Sequence, residues 1–151
     1  IATFALNGNT SGSANIGIGY TALYTNTTGL GNCAIGYQSC YSLNGTNYNT
    51  AMGYNTLPSS SGIQNTAVGA NALVKNSTGT NNVGVGYLAG QAKQTGQGNV
   101  MVGVAAGYNN TASWNTAVGA TALQANTVGT GNTALGHAAL SANTTGIPKT
   151  N

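Results

Sequence analysis

Asn65-Thr66-Ala67-Val68-Gly69-Ala70-Asn71-Ala72-Leu73 is the stretch on which the reading of this chain turns. Its frame is an Asn followed four residues later by a Gly, with an aliphatic residue just before that Gly, and it returns along the whole chain. The pairs are Asn15/Gly19, Asn32/Gly36, Asn49/Gly53, Asn65/Gly69, Asn82/Gly86, Asn99/Gly103, Asn115/Gly119 and Asn132/Gly136, at steps of 17, 17, 16, 17, 17, 16 and 17 residues. A fixed short period marks a solenoid, in which each repeat is one coil that completes its core only against its neighbours. The expected fold is therefore all-β: a parallel β-roll or β-solenoid of eight coils of 16–17 residues, forming one repeat domain over residues 1–151.

The columns of this repeat carry the next step. The residue before each Gly is Ile18, Ile35, Met52, Val68, Val85, Val102, Val118 or Leu135, and this aliphatic column is predicted to be the structural core. Two residues earlier stand Ile16, Cys33, Thr50, Thr66, Val83, Val100, Thr116 and Thr133, mostly β-branched and suited to a pleated strand. Between them lie Gly17, Ala34, Ala51, Ala67, Gly84, Met101, Ala117 and Ala134. Strand side chains alternate between faces, so the aliphatic and the small columns point opposite ways and neither face is polar. A coil has one inside, so the second apolar face predicts a partner, with the small column expected to allow its close approach. A closed homotrimer is one natural solution.

After each strand comes an Ala-Leu-like pair, as at Ala22-Leu23, Ala72-Leu73, Ala122-Leu123 and Ala139-Leu140, then a polar connection such as Thr25-Asn26-Thr27-Thr28-Gly29. Gly and Asn there are expected to supply the positive φ of tight turns. A coil of this length has room for two short strands and two turns. Ala5-Leu6 precedes Asn15 by the offset at which Ala22-Leu23 precedes Asn32, and Asn143-Thr144-Thr145-Gly146 repeats the turn at Asn26 before Pro148 interrupts it. The chain reads as a section of a longer fibre.

Composition removes most function classes. There are three lysines, Lys75, Lys93 and Lys149, no arginine, one histidine and no Asp or Glu. Without a carboxylate there is no acid pair for glycoside hydrolysis, no Ser-His-Asp triad and no oxygen cage for Ca²⁺, so no enzyme and no cofactor are expected. Three scattered lysines make no phosphate track, which speaks against nucleic acid. No apolar run reaches the ~18–20 residues needed to cross a membrane as a helix, so no membrane insertion by this segment is expected. The missing charges have a structural reason as well: in a stack, equivalent residues lie about 4.8 Å apart, where like charges repel and Asn or Thr can form hydrogen-bonded ladders.

Units such as Asn65–Leu73 and Asn132-Thr133-Ala134-Leu135-Gly136 resemble the Asn-x-x-aliphatic-Gly repeats of trimeric autotransporter adhesin heads, and equally those of bacteriophage and viral tail fibres. The likeness covers roughly residues 5–146. It implies a left-handed parallel β-roll, three chains about one axis, and display outside the cell or virion. The period here, 16–17 residues, is longer than is common in such heads.

Few side chains stand out for ligand contact. Tyr20, Tyr37 and Tyr54 follow the repeat Gly in consecutive coils, Tyr87 shares their column, and Trp114 lies in the turn before Asn115. A ladder of rings stabilises a sheet, and an exposed aromatic row flanked by Asn and Thr also suits a cell-surface glycan or other host receptor. His137 falls in the same column and is expected to be a surface or stacking residue with no metal. Cys40 takes a slot used by Leu57 and Leu73 and is expected to be a buried small apolar residue, while Cys33 and Cys40 lie about 23 Å apart if the chain between them is extended. Asn-x-Ser/Thr sequons occur at Asn9, Asn26, Asn44, Asn76, Asn109 and Asn143. The functional expectation is an extracellular attachment fibre or adhesin segment; the alternative is a purely structural shaft or surface filament with no ligand. A third possibility, an ice-binding solenoid, is weakened by Cys33, Val83 and Val100 in the Thr column.

Overall fold

The computed structural model describes residues 3–92 and 94–146; Lys93, Pro148 and Lys149 lie outside the described residues. It is all-β, with eight three-residue strands in chain order: β1 (Ile16–Ile18), β2 (Cys33–Ile35), β3 (Thr50–Met52), β4 (Thr66–Val68), β5 (Val83–Val85), β6 (Val100–Val102), β7 (Thr116–Val118) and β8 (Thr133–Leu135). Each pairs in parallel with the next in one eight-stranded sheet. The register matches the repeat columns throughout, for example Thr66↔Val83, Ala67↔Gly84 and Val68↔Val85. A parallel pair of successive strands needs a return path, and here the path is the remainder of each coil. The chain is thus a parallel β-solenoid.

Each described coil holds one strand where two were expected. The return half is a run of turns tied to its neighbours by single hydrogen bonds, such as Leu57 N–H to Ala72 O at 3.1 Å and Leu73 N–H to Ala89 O at 2.9 Å. The isolated parallel bridge Ser42↔Ser59 is the one place where β pairing touches that half among the described residues. Turns dominate because four positions per coil have positive φ, the repeat Gly and three others, and most occupants of those three are neither Gly nor Asn. At the corner after the strand they include Thr21, Gln38, Leu88 and Thr121, and two residues later Leu23, Cys40, Leu57, Leu73 and Leu123. Such a conformation costs a non-glycine residue about 1–2 kcal/mol. Stacking offsets it: Gln38 N–H reaches back to Tyr20 O at 3.0 Å, while Cys40 N–H reaches forward to Thr56 O at 3.1 Å. Reversing φ at alternate residues bonds the corner to the coils on both sides.

The core corrects one expectation. Ala34, Ala51, Ala67, Met101, Ala117 and Ala134, the small column, are inside and essentially inaccessible, together with Leu23, Cys40, Leu57, Leu73 and Leu123 from the corner. The aliphatic column faces outward: Ile18, Met52 and Leu135 are 50%, 45% and 69% exposed, and Ile35, Val68, Val85, Val102 and Val118 are half-buried. The reason is coil thickness. Leucines from the opposite corner already fill the lumen, so the strand can contribute only a methyl group or less; a Cβ on Gly84 would come within 2.8 Å of Leu73 Cγ. Where the corner has Gly90 and Gly107 in place of Leu, Met101 supplies the missing volume, its Sδ lying 2.5 Å from where a Gly107 Cβ would be.

Asparagine completes the interior. The Oδ1 of each repeat Asn accepts the backbone N–H of the next, from Asn32 onto Asn15 at 2.9 Å through Asn132 onto Asn115 at 2.9 Å. Its Nδ2 donates to a carbonyl of its own turn, as Asn65 does to Gly79 at 2.9 Å and Asn115 to Gly129 at 2.8 Å. Buried polar groups must be paired, and this geometry pairs both ends of each amide.

Candidate functional site

The most distinctive surface of the molecule is its aromatic column. Tyr20, Tyr37 and Tyr54 stand one residue past the Gly that ends β1, β2 and β3, so the stacking register places their rings in line. Centroids are 5.4 Å apart for Tyr20–Tyr37 and 5.1 Å for Tyr37–Tyr54, with planes inclined by only 13° and 7°. Phe4 meets Tyr20 edge-on at 6.3 Å. The rings therefore face one another along the solenoid, and solvent meets mainly their edges and hydroxyls. Exposure follows from this: Tyr37, covered on both sides, is 42% exposed and Tyr54, at the end of the row, 57%. Tyr87 lies two coils beyond Tyr54 and stands alone, Ala70 and Val104 occupying the coils beside it.

A second ladder was not anticipated. Tyr24 and Tyr41 stack at 5.3 Å and 7° on the far side of the corner. Its signal in the sequence is two tyrosines 17 residues apart, one on either side of a stretch whose composition is that of a polar connection. Trp114 is 60% exposed and lies across Gly98, whose imaginary Cβ would sit 2.3 Å from the indole; Tyr48 covers Gly31 similarly. Both aromatics precede a repeat Asn, at a positive-φ position. Tyr20, Tyr37, Tyr54 and Tyr87 thus share one column, and Trp114 belongs to another.

His137 is exposed beside the last repeat Gly. Among the described residues, no three His, Cys, Asp or Glu side chains come together. Cys33 and Cys40 are free thiols. Cys40 is buried in the leucine column; burial, then the neighbouring Cys33, push its thiol far above the ordinary value of 9.0 against a small opposing hydrogen bond to Ser39. The sequons divide by orientation. Asn26 and Asn76 are buried, their amides donating to Gly29 O and Gly79 O at 3.2 and 3.1 Å, which withdraws them from glycosylation in the folded coil. Asn9, Asn44 and Asn109 are exposed. A shallow hollow lined by Ser42, Asn44, Ser59, Ser60, Ser61 and Ser77 lies beside the short third coil. No described helix is long and apolar enough to cross a membrane.

No protein-family model, curated protein or solved structure in the comparisons matches this chain.

Proposed function

We propose that this chain is a segment of an extracellular fibre, an attachment fibre or adhesin, in which copies associate through the outward face of the sheet and the exposed side chains meet a host or surface. The observation that carries this reading is that face. The column of Ile18 continues through all eight strands as an aliphatic strip, with Ile18, Met52 and Leu135 largely open to solvent, beside the mixed column of Ile, Cys, Val and Thr that starts at Ile16. A strip of that kind marks an association surface. Three copies and extracellular display are what the resemblance to adhesin heads and tail fibres implies. The near-absence of charge adds a further constraint: contacts would be made by stacking and neutral hydrogen bonds, so binding would vary little with salt.

One observation favours the alternative of a shaft without its own ligand. The faces of Tyr20, Tyr37 and Tyr54 are spent on one another, which suits scaffolding. The test is binding of the intact chain to a glycan array and to host cells, with Tyr20, Tyr37 and Tyr54 replaced together by Ser. Binding lost with the coil still folded assigns the contact to the ladder; no binding by the unmodified chain to any surface replaces the adhesin reading with the shaft.

A further inference from the structure

The aromatic column has a gap. Tyr20, Tyr37 and Tyr54 occupy three successive coils, Ala70 follows, and Tyr87 resumes the column. The backbone runs through the gap without interruption: Asn71 N–H donates to Tyr54 O at 3.0 Å, and Leu88 N–H to Ala70 O at 3.2 Å. The flanking strands keep the register Met52↔Val68↔Val85. Tyr54 and Tyr87 are therefore two coil steps apart, about 10 Å at ~4.8 Å per step. A ring midway would lie about 5 Å from each, the spacing at which Tyr37 sits between its own neighbours, 5.4 and 5.1 Å away. We propose that the gap over Ala70 is a binding slot for one flat, neutral aromatic ring carried by a small molecule, held between Tyr54 and Tyr87.

Three features select that chemistry. Tyr54 is stacked on Tyr37 through one face, so its other face turns toward the gap, and its exposure of 57% is matched by 52% at Tyr87. The floor is the Ala70 methyl, with half-buried Val68 before it and Asn71 after it; Asn71 Oδ1 accepts from Asn55 Nδ2 at 3.1 Å. An apolar floor with an amide at the rim suits a ring bearing one polar edge group, as a phenol or indole does. No acid exists anywhere in the chain to hold a cation.

The experiment is a titration of the isotope-labelled chain with indole, read by nuclear magnetic resonance, with cyclohexanol as the non-aromatic control. A saturable ring-current shift of the Ala70 methyl is expected, with half-saturation in the millimolar range, and no comparable shift from cyclohexanol. Ala70→Tyr completes the ladder and should abolish the shift while raising Tm by a few degrees. Tyr87→Ser removes one wall at an exposed position and should weaken binding roughly fivefold, which keeps the test open if Ala70→Tyr fails to fold. Absence of a saturable shift in the unmodified chain, an equal shift from cyclohexanol, or undiminished binding in either variant overturns the proposal.

Discussion

Asn82 shows what a single residue does in this molecule. Its Oδ1 accepts the backbone N–H of Asn99 at 3.0 Å, and its Nδ2 donates to Gly96 O at 2.9 Å, in a site closed to solvent. Replacement by Ala leaves a buried donor and a buried acceptor without partners, at about 1–3 kcal/mol each. Asn82→Ala should therefore lower the unfolding free energy in urea by about 2–6 kcal/mol; a loss below about 1 kcal/mol would show that the ladder is not what holds the coils in register. Asn82→Asp keeps the acceptor but turns a carboxylate oxygen toward the Gly96 carbonyl, and should be worse than Ala at pH 7. Cys40 gives a prediction of a different kind. Burial raises its thiol in the folded state far above 9.0, so the native coil holds the proton that the unfolded chain releases. The associated stability is present below pH 9 and is lost as pH climbs above it. Denaturation at pH 7 and pH 10 should show this loss, and Cys40→Leu, which matches Leu23 below and Leu57 above, should reduce it. An unchanged pH dependence in the variant would contradict the assignment.

At the scale of the element, the repeat Gly separates backbone strain from collision. Gly86 has φ +130, and a Cβ there would stand 2.6 Å from the Gly103 carbonyl oxygen; Gly136 has φ +122 with nothing within 4 Å. Gly136→Ala should cost about 1–3 kcal/mol from conformation alone, and Gly86→Ala markedly more, since the next coil must shift. Equal melting temperatures for the two variants would refute close coil-to-coil contact as the reason for Gly. The strands themselves were legible in the sequence, because the Asn-to-Gly frame brackets each of them, from Ile16–Ile18 to Thr133–Leu135. Their facing was not. With both columns apolar, alternation alone does not say which is inside; that depends on the leucines of the opposite corner, whose inward direction follows from positive φ at Leu23, Leu57, Leu73 and Leu123. Sequence gives little warning of that conformation at a leucine. The same blindness hid the Tyr24–Tyr41 ladder and the inward turn of Asn26 and Asn76, since side chains in an unusual turn cannot be assigned a face by period two or 3.6.

For the whole molecule, the proposed association through the outward aliphatic column is one that substitutions can dissect. Ala67 is closed within the coil and Val85 lies on the outer face, half-buried in a single chain. An acid at Ala67 would stand unpaired in the core and should prevent folding, whereas Val85→Glu should leave the circular dichroism of the coil intact and abolish association. The pair distinguishes the inside of the solenoid from the surface between copies. If Val85→Glu associates as the unmodified chain does, the strip is not the interface. The most direct measurement is the mass of the unmodified chain in solution by light scattering. Three copies of 14.9 kDa should scatter as one particle of about 45 kDa, and a folded particle of 14.9 kDa at all concentrations would contradict the account.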